Sequence, residues 1–146
     1  ILARADQFER DGGATNQQAH PYDYSAAKAI GKVIPELNGK LNGFSLRVPT
    51  PDVSIVDLNC LVKRSVTKEE INEIFKNASQ NGYKGLIEYD DRMRVSSDFI
   101  GSSYSSIFVP DSTQVVDGDM VKIVAWYDNE WGYSSRLVDM AKHVGG

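Results

Sequence analysis

The residues with most chemistry to offer lie together at 126–134, Trp-Tyr-Asp-Asn-Glu-Trp-Gly-Tyr-Ser, where aromatics, an amide and two acids crowd one turn. The run before it, Met120 to Ala125, is β-branched and short enough for a buried strand, while Leu137, Val138, Ala141 and Val144 recur at helical spacing after it. Asn129 therefore falls where a strand ends, the place where α/β architectures usually hold ligand groups, and its amide both donates and accepts hydrogen bonds. The same residues permit a second reading, in which the aromatics pack a core and Asn129 caps the following helix. Nucleophilic chemistry has one candidate thiol, Cys60, and needs a base beside it. Cys60 stands mid-strand in register with Val56, Leu58 and Val62, the pattern of a buried and inert thiol. His20 sits in a turn-rich segment and His143 near a helix C-terminus, neither with a motif neighbour, so both read as solvated surface histidines. No catalytic residue and no metal site are expected from these residues.

The elements that must position this cluster follow from periodicity. Residues 6–25 hold Asp11-Gly12-Gly13, Asn16, two glutamines and Pro21, a composition that predicts a loop or poorly ordered arm. From Ser25, a plausible N-cap, Ile30, Val33, Ile34 and Leu37 recur at helical spacing as far as Gly39, with Pro35 shortening or bending the helix. Segments 43–48 and 53–63 read as strands divided by Pro49 and Pro51. Thr67 with Glu70 forms a capping-box pattern, after which Ile71, Ile74, Phe75 and Ala78 trace one helical face until Asn81-Gly82. Further strands are predicted around 85–89, 104–109 and 119–127, with Asp117-Gly118 as a turn able to join two antiparallel strands. Segregated helices and strands imply an α+β fold, a mostly antiparallel or mixed sheet with helices packed on one face.

Bulk properties narrow the function classes. A chain of 146 residues suits one domain able to bury about 68–70% of its unfolded surface. A net charge of -4 and pI near 5.1 give no basic footprint for nucleic acid, and no apolar run approaches the ~20 residues of a membrane span. Residues 1–6 are too short and too charged for a secretory signal, and one cysteine fits a reducing compartment, so the expectation is a soluble, cytoplasmic protein.

The stretch 126–134 resembles the C-terminal signature of phosphorylating glyceraldehyde-3-phosphate dehydrogenases. The stretch 43–58, Gly-Phe-Ser-Leu-Arg-Val-Pro-Thr-Pro-Asp-Val-Ser-Ile-Val-Asp-Leu, is similar to a second signature of that family, and 26–41 and 95–99 also match it. The resemblance runs from about Ser25 to the C-terminal helix, and no family motif is legible in residues 1–24. It implies that 25–146 form a portion of the family's substrate domain, while 1–24 are a leader or arm. No G-x-G-x-x-G follows a strand, so the family's NAD-binding Rossmann domain is absent from these residues.

The resemblance also assigns roles. Arg47, in Leu-Arg-Val-Pro-Thr, takes the place of an arginine that binds substrate phosphate, a task suited to a planar guanidinium fork. Asn129 takes the place of the residue that holds the nicotinamide carboxamide, and Tyr133 that of an aromatic shielding the nicotinamide ring. In the family a cysteine thiolate attacks the aldehyde, a histidine removes the proton, hydride passes to NAD, and inorganic phosphate releases an acyl phosphate. The motifs bearing that cysteine and histidine do not occur here, and Tyr24-Ser25 replaces a Thr-Gly pair that helps bind phosphate. The chain is therefore expected to be part of a glycolytic dehydrogenase, inactive by itself, with phosphate or a phosphorylated triose as ligand and NAD as the family's cofactor, though not tightly bound to this chain. Expected partners are the missing NAD-binding domain or other subunits, with self-association through exposed interface and tetramer assembly in doubt. The alternative is a noncatalytic interaction or assembly module on the dehydrogenase scaffold.

Overall fold

The structure is a computed structural model that describes the backbone of residues 2–6, 20–23 and 25–146, with side chains from 29 onward except that of residue 47. Its elements are β1 (Leu2–Asp6), β2 (His20–Asp23), α1 (Ser25–Val33), β3 (Phe44–Arg47), β4 (Ser54–Leu61), α2 (Lys68–Gln80), β5 (Ile87–Tyr89), β6 (Ser106–Phe108), β7 (Gln114–Val116), β8 (Met120–Tyr127) and α3 (Trp131–Gly145). One mixed sheet runs β2-β3-β1-β4-β8-β6-β5, with β7 paired to β8. The β1/β3 and β5/β6 pairs are parallel and the others antiparallel, which makes this the α+β mixed sheet expected from the sequence.

The spine is β4 against β8, antiparallel from Ser54 opposite Tyr127 to Leu61 opposite Met120. Directly opposed residues share a face, so Cys60 sits across from Val121 and Leu58 across from Ile123. That face is covered by α2: buried Ile71, with Phe75, packs into the cluster of Val66 and Val121 that Cys60, Val62, Val115 and Ile123 complete. Phe75 also stacks on the fully buried Phe108 at 4.1 Å, and burying such a ring is worth about 1.5–3 kcal/mol. The capping box that starts α2 is present in both directions, Glu70 N donating to Thr67 Oγ1 at 3.2 Å and Thr67 N to Glu70 Oε2 at 2.9 Å. The Asp117-Gly118 turn joins β7 to β8 with both residues at positive φ, as a tight hairpin requires. A Cβ on Gly118 would lie 2.3 Å from Ser65 Oγ, a second reason for glycine there.

One expectation is corrected and one strand is added. The opening segment is not purely a loop or arm, because β1 occupies the sheet between β3 and β4 and β2 pairs with β3; residues 7–19 lie outside the described residues. The Asp117-Gly118 turn joins β8 to the three-residue β7, a strand the periodicity did not predict, while the 104–109 segment becomes β6 as expected and reaches β8 further along. Helix α1 ends at Val33, and Pro35 opens a 3-10 turn over Pro35–Leu37, as the proline predicts. Of the three α-helices among the described residues, α2 buries Ile71 and half-buries Phe75 while leaving Ile74 exposed, and Val33 on α1 and Leu137, Val138, Met140 and Val144 on α3 are exposed.

Candidate functional site

The site is built at the end of β8. Asp128, almost fully buried, ends the strand and begins α3: its backbone oxygen accepts from Gly132 N at 3.0 Å, and its Oδ1 accepts from Glu130 N at 3.0 Å and Trp131 N at 2.7 Å. This is the work of an N-cap, so the helix is capped by Asp128 and not by Asn129. Its other oxygen accepts from Gly101 N at 2.8 Å, tying the loop after Phe99 to the same junction. One carboxylate thus fixes the strand end, the helix start and a neighbouring loop, and leaves Asn129 between them free of capping duty.

Gly132 lets α3 approach the chain segment before β6. A Cβ there would stand 2.9 Å from the carbonyl oxygen of Tyr104, closer than such atoms come. One turn further on, Arg136 Nη1 donates to Ser103 O at 3.2 Å and Ser105 Oγ at 2.9 Å, while Nη2 pairs with Asp139 at 2.7 Å. Between α3 and the strand ends lies a cavity of about 360 Å³, lined by Ser105, Tyr127, Asp128, Asn129, Gly132, Tyr133 and Arg136. Its volume suits a small ring-bearing group, near the lower end of ligand sites at about 300–1,000 Å³. Asn129 Oδ1 accepts from Ser54 Oγ at 3.3 Å, and Asn129 Nδ2 has no partner among the described residues. Tyr133 is 65% exposed, so its ring is available to an incoming planar group. Beneath the site, Val53, Phe99 and Ile107 form a fully buried cluster on which Tyr104 and Trp126 pack, Phe99 stacking on Trp126 at 5.9 Å.

Asn129 and Tyr133 are thus brought together on one cavity. Arg47 is placed at the same end of the sheet by backbone register: Leu46 pairs with Asp6, Asp6 with Ile55, and Ile55 with Trp126, so Arg47 follows in the row of Ser54 and Tyr127. Three strand spacings separate β3 from β8, about 14 Å. The Arg47 side chain lies outside the described residues. Cys60 is far down β4 in the α2-covered cluster, where burial pushes its thiol pKa up, away from the thiolate a nucleophile requires. His143 lies in the last turn of α3 and His20 in β2, opposite Arg47 in register. Sequence reading missed Ser54 and Asp128. Asp128 carried a signal, an acid three residues before a helix-compatible run, while Ser54 carried none because a serine opening a strand is ordinary.

Comparison with known proteins identifies the family. The family model for the glyceraldehyde 3-phosphate dehydrogenase C-terminal domain matches residues 3–129, taking in part of the opening segment and ending on Asn129. A glyceraldehyde-3-phosphate dehydrogenase of Phytophthora infestans is 52% identical over 124 residues, 85% of this chain and 37% of the relative. A cytosolic one of Pinus sylvestris is 48% identical over 135 residues, 92% of this chain and 40% of the relative. A chloroplastic one of Arabidopsis thaliana is 46% identical over 135 residues, 92% of this chain and 32% of the relative. The chain therefore spans a third to two fifths of the length of these relatives. Among the described residues no helix is long and apolar enough to cross a membrane. The chain belongs to the glyceraldehyde-3-phosphate dehydrogenase family and carries a portion of its C-terminal domain.

Proposed function

We propose that this chain supplies the later part of the substrate domain of an NAD-dependent, phosphorylating glyceraldehyde-3-phosphate dehydrogenase of glycolysis, acting in the cytoplasm, and that these 146 residues do not turn over substrate by themselves. The observation that carries the reading is the Asn129 amide on the cavity at the end of β8, held on one side by Ser54 and unpartnered on the other among the described residues, with the exposed Tyr133 ring beside it. That arrangement fits a nicotinamide carboxamide. When bound, NAD would supply a hydride acceptor. Asn129 orients the carboxamide, Tyr133 covers the ring, and Arg47, at the same sheet end, receives a substrate phosphate. An NAD-binding domain, or other subunits, would complete the site.

The chemistry of the chain supports inactivity in isolation. Covalent aldehyde oxidation needs a thiolate and a base in contact, and the one thiol is Cys60, among apolar side chains with its pKa raised by burial. The test has two arms. Purified chain with glyceraldehyde 3-phosphate, phosphate and NAD is expected to form no NADH, and formation above blank would overturn the inactivity. Inorganic phosphate followed by amide NMR is expected to shift resonances around Arg47, and to do so no longer in Arg47→Ala; an indifferent wild type would overturn the phosphate assignment.

The alternative of a noncatalytic assembly module draws on one observation, the apolar side chains that α1 and α3 leave exposed. Those faces equally suit docking onto the remainder of a dehydrogenase.

A further inference from the structure

Val53 has φ 73, in the left-handed region that a β-branched residue occupies only when its surroundings force it. Two contacts hold it there. Its side chain is fully buried with Phe99 and Ile107, and its N–H donates to Asp52 Oδ1 at 2.7 Å. The consequence of the forced turn falls on the next residue. Ser54 opens β4 with no exposed surface, opposite Tyr127 in register, and its hydroxyl reaches Asn129 Oδ1 at 3.3 Å. Strand pairing alone has no need of a buried hydroxyl at that position. Without Asn129 the Ser54 hydroxyl would be buried with no partner among the described residues, which is unfavourable. The two side chains therefore hold each other.

An asparagine amide that turns freely offers either an acceptor or a donor to a ligand. We propose that Ser54 is a positioning residue for this site: by donating to Asn129 Oδ1 it leaves the amide Nδ2 as the group presented to the cavity, so the site selects ligands that offer an accepting oxygen over ligands that offer a donor. The proposal rests on the reading of this cavity as a nicotinamide site. It makes Val53, Ser54 and Asn129 one unit, with strain at the first residue setting the hydroxyl that sets the amide.

Amide NMR on the full chain tests the unit first without ligand. The Asn129 side-chain NH2 is expected to be ordered in the wild type and remote from the Ser54 β protons. It should become mobile in Ser54→Ala and stay ordered in Ser54→Thr, with Ile71 and Val121 in the distant cluster reporting an intact fold. Close contact between that NH2 and the Ser54 β protons would overturn the proposal, and so would an unchanged NH2 in a folded Ser54→Ala. The wild-type measurement decides the orientation even if a variant fails to fold. Three probes follow: nicotinamide mononucleotide and its 3-acetylpyridine and 3-aminopyridine analogues. The wild type should bind the first two alike and the amino analogue about tenfold more weakly, the loss of one hydrogen bond. Ser54→Ala should narrow that gap to about two- to threefold, since either end of the amide then serves. A gap that survives in Ser54→Ala, or a wild type that prefers the amino analogue, would overturn the proposal. If none of the probes shifts Asn129 or Tyr133, the nicotinamide reading falls, while the ligand-free measurement still decides the role of Ser54.

Discussion

At the scale of single residues, the chemistry of this chain is decided by what surrounds each reactive group. Cys60 is surrounded by Val62, Val121 and Ile123, and burial raises its pKa, so it holds little thiolate at neutral pH. Iodoacetamide is expected to label the folded chain much more slowly than the urea-unfolded chain, as read by intact mass; equal rates would show an accessible thiol. Asp90 shows the opposite balance. Burial would raise its pKa, but hydrogen bonds from Arg94 at 3.0 Å and Arg92 at 2.7 Å outweigh it and hold the carboxyl below its usual value. A depressed folded pKa contributes stability that is full above the unfolded value, about 3.9, and is lost as pH falls through the folded one. Urea midpoints measured from neutral pH downward should therefore fall below about pH 4, and less steeply in Asp90→Asn. Parallel curves for the two proteins would remove Asp90 from the acid response.

At the scale of elements, Gly132 is where α3 meets the chain before β6. Gly132→Ala would place a Cβ 2.9 Å from a backbone oxygen, which cannot swing aside as a side chain can. The expected cost is about 1–3 kcal/mol, as for other overpacked sites, with chemical-shift changes concentrated at Asn129, Tyr133 and Tyr104. A variant as stable as the wild type would show that α3 is not clamped there. The legibility of the elements follows the range of the interactions that make them. The α2 start was readable because Thr67 and Glu70 are three positions apart and answer each other. The Asp117-Gly118 turn was readable because its backbone demand is local. β1 was not, because Leu-Ala-Arg-Ala-Asp has no β-branched residue and owes its strand to partners in β3 and β4. Asn129 and Tyr133, which the structure puts on one cavity, stand out through their motif, whereas the Ser54 contact spans 75 positions and the turn that creates it depends on a valine conformation that propensity rules exclude.

At the scale of the whole molecule, α2 covers one region of the sheet, while α1 and α3 leave several apolar residues in solvent. Val33 is 82% exposed and Val144 79%, and Leu137, Val138 and Met140 share the exposed character of α3. Light scattering after size-exclusion chromatography should give a mass above 16.2 kDa that rises with concentration, and Leu137→Lys should lower it. A clean monomer at every concentration would argue that these faces are not cohesive. The topology also dictates an order of assembly. Everything from α2 to β7 lies between β4 and β8 in the chain, and closing a loop of that length costs entropy before the long spine can repay it. α2 and the β7–β8 hairpin can form early from neighbours in sequence. Ser54 and Asn129 meet only when the two ends of that excursion close. The candidate site is therefore among the last parts of the molecule to exist on folding, and it should be among the first to vanish when the β4/β8 pairing frays from its Ser54 end.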